Sequence, residues 1–284
     1  MKKILVTGGA GFIGSNLCRT LLDRGNYVFC ADNLVTGSLK NVENLSDRFW
    51  FLPGDIDDIP DLNYDRIYHL ASPTDPNAVN ENRGMTRSVN STGTEKLFEM
   101  ARCPFLFVSS VKVLGDCPRV SDYIWGKKQG ERICTEHGAK IARLASVYGP
   151  GMAVNDGRVI PVFITKTLRG EPISLWNGGA QIDSFCHVFD IVNGLIAFME
   201  SNITGMLEFG APKGISIADL SKLILNIIGK KVQIKTDENI LVVDECHKVV
   251  DISKVKNLLG WEPKIQLEDG LEHTIDYYRR VLQP

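Results

Sequence analysis

The run "ILVTGGAGFIGSNL", residues 4–17, constrains this chain more than any other stretch. An apolar strand ends at Thr7, and Gly8, Gly11 and Gly14 then carry the chain into a helix. The placement matters more than the glycines themselves. Gly8 permits a tight turn, Gly11 lets the backbone come close to a pyrophosphate, and Gly14 allows close helix-strand packing, while the helix N-terminus favours an anion. The next strand, "YVFCAD", ends in Asp32, near the roughly 20-residue offset at which an acid takes a ribose 2′-hydroxyl. A carboxylate there repels a 2′-phosphate, so NAD is expected rather than NADP. The plainer alternative is that Asp32 only caps the turn after the strand. Two later signals fit the first reading: "LPGDI" brings Asp55 to where an adenine amino group is reached, and "YHLAS" ends in the small residues Ala71 and Ser72.

Short apolar runs alternate with helical patterns through the first half: "KILV", "YVFCAD", "FWFL", "RIYHLA", a long helix around residues 86–102, then "FLFVSS" and "AKIARLA". Strands apolar on both faces and separated by helices predict a parallel sheet covered on both sides, a Rossmann-type doubly wound α/β fold. "VYGPG" at residues 147–151 punctuates the pattern. Residues 1–150 are therefore expected to form the NAD-binding domain, with strand contributions from later segments, and residues 151–284 a smaller substrate lobe.

Composition removes several classes of function. The formal net charge of −2 and the lack of a long Lys/Arg run argue against nucleic acid or an anionic membrane as partner. No stretch reaches the roughly 18–20 uninterrupted apolar residues of a membrane span, and the glycine-broken N-terminus reads as a strand, not a signal peptide. The seven cysteines are scattered without CxxC spacing, which predicts no disulfide framework, no metal site and a reducing, cytoplasmic setting. Cys117 and Cys246 have reactive-looking neighbours but are expected to be bland. A small-molecule ligand is the remaining expectation.

The stretch "SVKVLGDCPRVSDYIWGK", residues 110–127, carries the candidate chemistry. Residues four apart share a helix face, so Tyr123 and Lys127 are presented together. A lysine ammonium favours the phenolate of a tyrosine whose reference pKa is about 10, which makes Tyr123 a candidate general base. Ser110, at the end of its strand, is placed to hydrogen-bond a substrate hydroxyl.

With TGGAGFIGS, Asp32-Asn33, Gly54-Asp55, the HLA at 69–71, Ser109-Ser110 and the YxxxK at 123–127, the chain resembles the extended short-chain dehydrogenase/reductase family acting on nucleotide-activated sugars. "DNLVTGSLKNVENL" and "NDGRVIPVFI" are most similar to UDP-glucuronate decarboxylases and their epimerase and dehydratase cousins. The resemblance implies Ser110, Tyr123 and Lys127 as catalytic residues. It implies Gly8, Gly11, Phe12, Ile13, Asp32, Asn33, Asp55, Ile56, Leu70, Ala71 and Ser72, with Tyr123 and Lys127, around NAD. For a nucleotide-sugar substrate it implies Ser72, Val111, Lys112, Ser146, Val159 and Lys248. A homodimer through helices near residues 86–102 and 122–137 is expected by the same analogy.

The chain departs from that pattern at several positions from Val111 onward. Relatives that dehydrate carry an Asp-Glu pair just after the serine or threonine, and decarboxylases carry a glutamate at the second position and an arginine within the segment matching "QIDSF". Here the residues are Val111, Lys112 and Asp183. Either Lys112 and Asp183 form a charge-swapped pair, or they are two independent solvent-exposed residues. Leu114 stands for a tyrosine, Ser146 for an asparagine, and His247-Lys248 for an arginine pair. The expectation is therefore oxidation of a nucleotide-activated sugar at C4, by an epimerase or a dehydrogenase. The alternatives are a dehydratase or decarboxylase with unusual groups, and an NAD-binding protein without turnover.

Overall fold

The computed structural model describes residues 1–43, 45–74, 76–115, 121–237 and 249–283. The strands are β1 (Lys3–Thr7), β2 (Tyr27–Asp32), β3 (Phe49–Pro53), β4 (Arg66–His69), β5 (Phe105–Ser110), β6 (Lys140–Leu144) and β7 (Ser146–Tyr148). They continue with β8 (Ile173–Trp176), β9 (Ile182–Asp183), β10 (Phe185–His187), β11 (Gly205–Phe209), β12 (Ile215–Ser216) and β13 (Ile234–Asp237). The helices are α1 (Phe12–Asp23), α2 (Pro76–Glu81), α3 (Arg83–Asn90), α4 (Thr92–Met100) and α5 (Asp122–Glu136). They close with α6 (Val159–Arg169), α7 (Val188–Glu200), α8 (Ile217–Ile228), α9 (Ser253–Leu259) and α10 (Leu267–Val281).

The chain divides into two units, the first comprising the described residues of Met1–Val113, Arg119–Arg143 and Val192–Leu207. Its seven-stranded sheet has the order β11-β6-β5-β4-β1-β2-β3. The pairings β1–β2, β1–β4, β2–β3 and β4–β5 are parallel, with Thr7 level with Ala31 on one side and His69 on the other. This is the Rossmann-type α/β fold, with the chain reversing at β1, so that the ends of β1, β2 and β4 sit side by side. Leu5, Ile67, Leu97, Phe107 and Ile141 are almost fully buried in one cluster. Each such side chain contributes about 1.5–3 kcal/mol by leaving water.

The helix expected around residues 86–102 is two helices, broken at Ser91, whose backbone (φ −117°, ψ −92°) is not helical. Hydroxyls account for the break: Ser91 Oγ donates to the Arg87 carbonyl and Thr92 Oγ1 to that of Ser88, bonds that compete with the helix ladder. A Cβ at Gly93 would lie 2.9 Å from Ile56 Cδ1, so the restart sits close against that side chain.

The second unit holds the described residues of Leu114–Pro118, Leu144–Ile191 and Glu208–Pro284. Here β10 pairs with β7, β12 with β9 and β13 with β8. "LLGWEP" finds its place through Asp190: the carboxylate accepts from Lys264 N and Ile265 N, and the carbonyl accepts from Trp261 Nε1. Among the described residues no helix is long and apolar enough to cross a membrane, and no cluster of His, Cys, Asp and Glu is placed to hold a metal.

Candidate active site and cofactor loop

The glycine loop is built as its spacing requires. Gly8 has φ +69° and donates to the Ala31 carbonyl, and a Cβ on it would strike Ala71 N at 2.7 Å. Gly14 packs against the loop itself rather than the strand: its Cβ would lie 2.1 Å from the Gly8 carbonyl. Gly11 is the N-cap of α1 and has no side chain to occupy the helix's first N–H groups, which Phe12 and Ile13 begin. Those donors, at the positive end of the helix dipole, suit the pyrophosphate of a dinucleotide.

Asp32 caps the turn after its strand, and it also holds the glycine loop. Its Oδ1 accepts from Leu34 N at 2.8 Å, which caps the turn, while Oδ2 accepts from Ala10 N at 3.0 Å, which ties β2 to the glycine loop. Burial pushes its carboxyl up, opposed by these backbone donors. It remains partly exposed, so a ribose hydroxyl can still reach it. Asn33 donates to Asp55 at 2.6 Å, joining the two acidic corners. Asp55 lies beyond β3 as the cap of a short 3-10 turn that begins at Ile56, and Ile56 packs its side chain into the core.

His69 is a member of this corner that its sequence pattern did not mark. It is fully buried, with Nδ1 2.6 Å from Thr7 Oγ1 and Nε2 3.2 Å from the Val89 carbonyl. Since Nε2 faces a carbonyl it must donate, so Nδ1 accepts from the threonine, and Thr7 Oγ1 accepts in turn from Ala71 N. Burial and the cation of Lys127 pull its pKa down to about 3, which keeps it neutral. The chain Ala71–Thr7–His69–Val89 thus locks the ends of β1 and β4. Ser72 Oγ, beside it, accepts from Asn90 Nδ2 at 2.9 Å. Leu70 N donates to the Thr7 carbonyl.

The catalytic candidates come from β5 and α5. Ser110 closes β5, and its Oγ accepts from Lys112 N at 3.2 Å, which leaves the hydroxyl proton for another acceptor. Tyr123 lies in the first turn of α5, capped by Ser121, whose side chain accepts from Ile124 N. The helix N-terminus favours negative charge at that position. Asp122 beside it is held by Arg83 and Arg87, which keep its carboxyl below the usual range. Lys127 is 2% exposed, donates to the Val108 carbonyl at 2.7 Å and lies 5.8 Å from the Tyr123 ring centroid. Burial lowers its pKa to about 7, partly offset by Cys134 and Glu131.

The positions implied for substrate divide between the units. Val111 is buried in the 3-10 turn that also holds Lys112, and Leu114 at its end is exposed. In the second unit Ser146 Oγ donates to Asp183 Oδ2 at 3.0 Å, and Asp183 Oδ1 accepts from Ser184 N. Asp183 is 7% exposed, so the idea of a solvent-exposed carboxylate at this position is corrected: the carboxylate is buried and hydrogen-bonded. Val159 opens α6. Cys117, Cys246, His247 and Lys248 lie outside the described residues.

Comparison with known proteins points the same way. The model of the NAD dependent epimerase/dehydratase family matches residues 4–206. UDP-glucuronic acid decarboxylase 1 of Xenopus tropicalis is 35% identical over 99% of this chain and 73% of its own length. UDP-glucuronic acid decarboxylase 3 of Arabidopsis thaliana is 36% identical over 95% of this chain and 86% of its own. Among solved structures, UDP-glucose 4-epimerase of Thermotoga maritima with UDP-glucose superposes with a TM-score of 0.88 at 27% identity, covering 99% of this chain and 100% of that one. UDP-glucuronic acid 4-epimerase of Bacillus cereus, in complex with UDP-glucuronic acid and NAD, gives 0.88 at 26% identity, with 98% of this chain and 99% of that one covered.

Proposed function

This chain belongs to the NAD-dependent epimerase/dehydratase family, and from that premise we propose that it oxidises a nucleotide-activated sugar at C4, as a 4-epimerase or a 4-dehydrogenase. The observation that carries the reading is the pairing of Tyr123 and Lys127 on one face of α5, with the lysine anchored to the strand that ends in Ser110. Tyr123, as phenolate, takes the proton of the sugar hydroxyl. Ser110 hydrogen-bonds that hydroxyl and Lys127 supplies the nearby positive charge. Gly11, Phe12 and Ile13 would hold the NAD pyrophosphate through the α1 terminus, Asp32 with Asn33 the adenosine ribose, and Asp55 the adenine, with Gly8, Leu70, Ala71 and Ser72 shaping the floor. Bound NAD supplies the two-electron redox chemistry. Residues 1–150 are read as the domain for this cofactor and 151–284 as the lobe for the nucleotide sugar, with Ser146 and Val159 on that lobe.

The curated relatives bring a decarboxylase into view as the second reading. The residues speak against it. The resemblance asks for glutamate where Lys112 stands and for arginine where Asp183 stands, and a buried carboxylate bonded to Ser146 is a poor receiver of a uronate's carboxylate. The deciding experiment is incubation with UDP-glucuronate and several NDP-hexoses, followed by mass analysis and the near-ultraviolet absorbance of reduced nicotinamide. A changed sugar of unchanged mass, or a loss of two hydrogens with reduced cofactor, supports the proposal. A product lighter by carbon dioxide or water overturns it, and no change with any sugar returns the chain to a binding role.

Two further parts of the reading have their own checks. A homodimer through the α3–α4 and α5 region is proposed by analogy with relatives, and a monomer mass by light scattering would remove it. The cytoplasmic setting rests on free thiols at Cys18, Cys30, Cys103, Cys134 and Cys186, and is tested by cell fractionation.

A further inference from the structure

Tyr123, Lys127 and Glu131 stand at successive four-residue steps along α5, one stripe of a single helix. The third member has no part in the chemistry above, yet it is the most tightly bound of the three. Glu131 is 7% exposed, and both of its oxygens are engaged: Arg143 Nε donates to Oε1 at 2.8 Å and a terminal guanidinium nitrogen to Oε2 at 2.6 Å. Ser109 Oγ adds a third bond to Oε1 at 2.6 Å. Ser109 sits between Val108, whose carbonyl takes the Lys127 ammonium, and Ser110, the candidate catalytic hydroxyl. Three elements, α5, β5 and β6, therefore meet at one carboxylate, one helical turn along α5 from the lysine.

We propose that Glu131 is the positioning residue of the site: its buried carboxylate, fixed by Arg143 and Ser109, holds Lys127 seated against the end of β5 and favours its ammonium form. The assignment builds on the functional reading above, since a charged Lys127 matters there for the Tyr123 phenolate. Among the described residues, the groups that face the lysine come from the elements packed around it. From α5 come Glu131, Cys134, whose thiol burial pushes far up and so leaves neutral, and the Tyr123 ring. From β4 comes the neutral His69. Strand β5 offers the Phe107 ring and the Val108 carbonyl, β6 offers Arg143 through Glu131, and the α3 arginines are taken by Asp122. Glu131 is thus the anion that works against the desolvation of Lys127.

The test reads the lysine itself rather than turnover. Lysine side-chain carbon resonances of the cofactor-free protein are titrated, with the Lys127 signal identified by its loss in Lys127→Met. Glu131→Gln lowers the Lys127 midpoint by roughly one unit or more, since an opposing charge is removed and the Arg143 guanidinium is left uncompensated. Arg143→Gln, which keeps the carboxylate, does not lower it. A merely structural role predicts the other sign, because loosened packing admits water and moves a buried lysine up toward its ordinary value. If Glu131→Gln fails to fold, Glu131→Gln with Arg143→Gln removes the pair as a neutral unit and is expected to show a smaller fall in the same direction, because no uncompensated guanidinium is left. A midpoint unchanged or raised when Glu131 is neutralised overturns the assignment. A lowered midpoint supports it even where no sugar nucleotide is turned over, in which case the functional reading alone has failed. Where turnover is found, the alkaline limb of kcat in Glu131→Gln moves down with the lysine.

Discussion

The corner around the glycine loop and the neighbourhood of α5 are built on different principles. At the loop, main-chain atoms do most of the holding: Gly8 N on the Ala31 carbonyl, Ala10 N and Leu34 N on Asp32, Ala71 N on Thr7. Around α5, side chains hold side chains, as in Ser109–Glu131–Arg143, and a lysine is buried on a carbonyl. Backbone geometry tolerates little change, whereas a side-chain network can be rewritten one residue at a time. The loop accordingly keeps the glycine spacing that the resemblance asks for, while Val111, Lys112, Ser146 and Asp183 are residues at which the sequence departs from that resemblance.

The largest test of that contrast is Tyr123→Phe. It keeps the ring and removes the ionisable hydroxyl, so sugar oxidation should fall by roughly 10²–10⁴-fold while NAD binding, measured by calorimetry, stays within a small factor of wild type. Loss of both together would mean that the two regions are not separable.

Lys127 offers a readout of stability. Burial lowers its pKa from 10.5 to about 7, so between those values the unfolded chain holds a proton that the folded chain does not. Stability contributed by this group therefore rises with pH across that window and is lost as pH falls through about 7. The denaturation midpoint of the cofactor-free protein should increase from neutral to mildly alkaline pH, and Lys127→Met should flatten that increase. Parallel curves for the two proteins would deny the lysine its buried setting.

Asp32→Ala sharpens the comparison from the loop side. It removes the charge that opposes a 2′-phosphate, and it frees Ala10 N and Leu34 N, so NAD should bind about 10-fold or more weakly while the preference over NADP narrows. An unchanged NAD-to-NADP ratio would remove Asp32 from the ribose site. The smallest effect is expected at Asp183→Asn, which keeps the hydrogen bond with Ser146 and alters only charge. A shift of a few degrees at most in thermal midpoint is expected, with unchanged cofactor affinity. A large loss of NAD affinity would give Asp183 a part in cofactor binding that the contrast does not allow.

How much was legible in the sequence differs between the same two regions. Glycine spacing, the acid at the end of β2 and the period-four Tyr123/Lys127 pair are local, and local spacing fixes local geometry: a turn needing positive φ at Gly8, a helix face, a strand end. The parallel sheet followed from strands apolar on both faces. The break at Ser91 was hidden because nothing as strong as a proline interrupts the stretch, and only the small and hydroxyl residues Ser91, Thr92 and Gly93 mark it. Asp183 reads in the sequence either as a partner of Lys112 or as an exposed carboxylate, because nothing near it in sequence announces Ser146 as its partner.

What the sequence determined by itself is the fold and the cofactor loop, because backbone conformation and apolar periodicity are written in neighbouring residues. Tertiary structure alone decided that His69 bridges Thr7 and Val89, that Asp183 is buried on Ser146, and that Glu131 meets Ser109 and Arg143 behind Lys127. Those contacts join strands and helices distant along the chain, and the charge state of a buried lysine depends on which groups the packing places around it and how completely it excludes water.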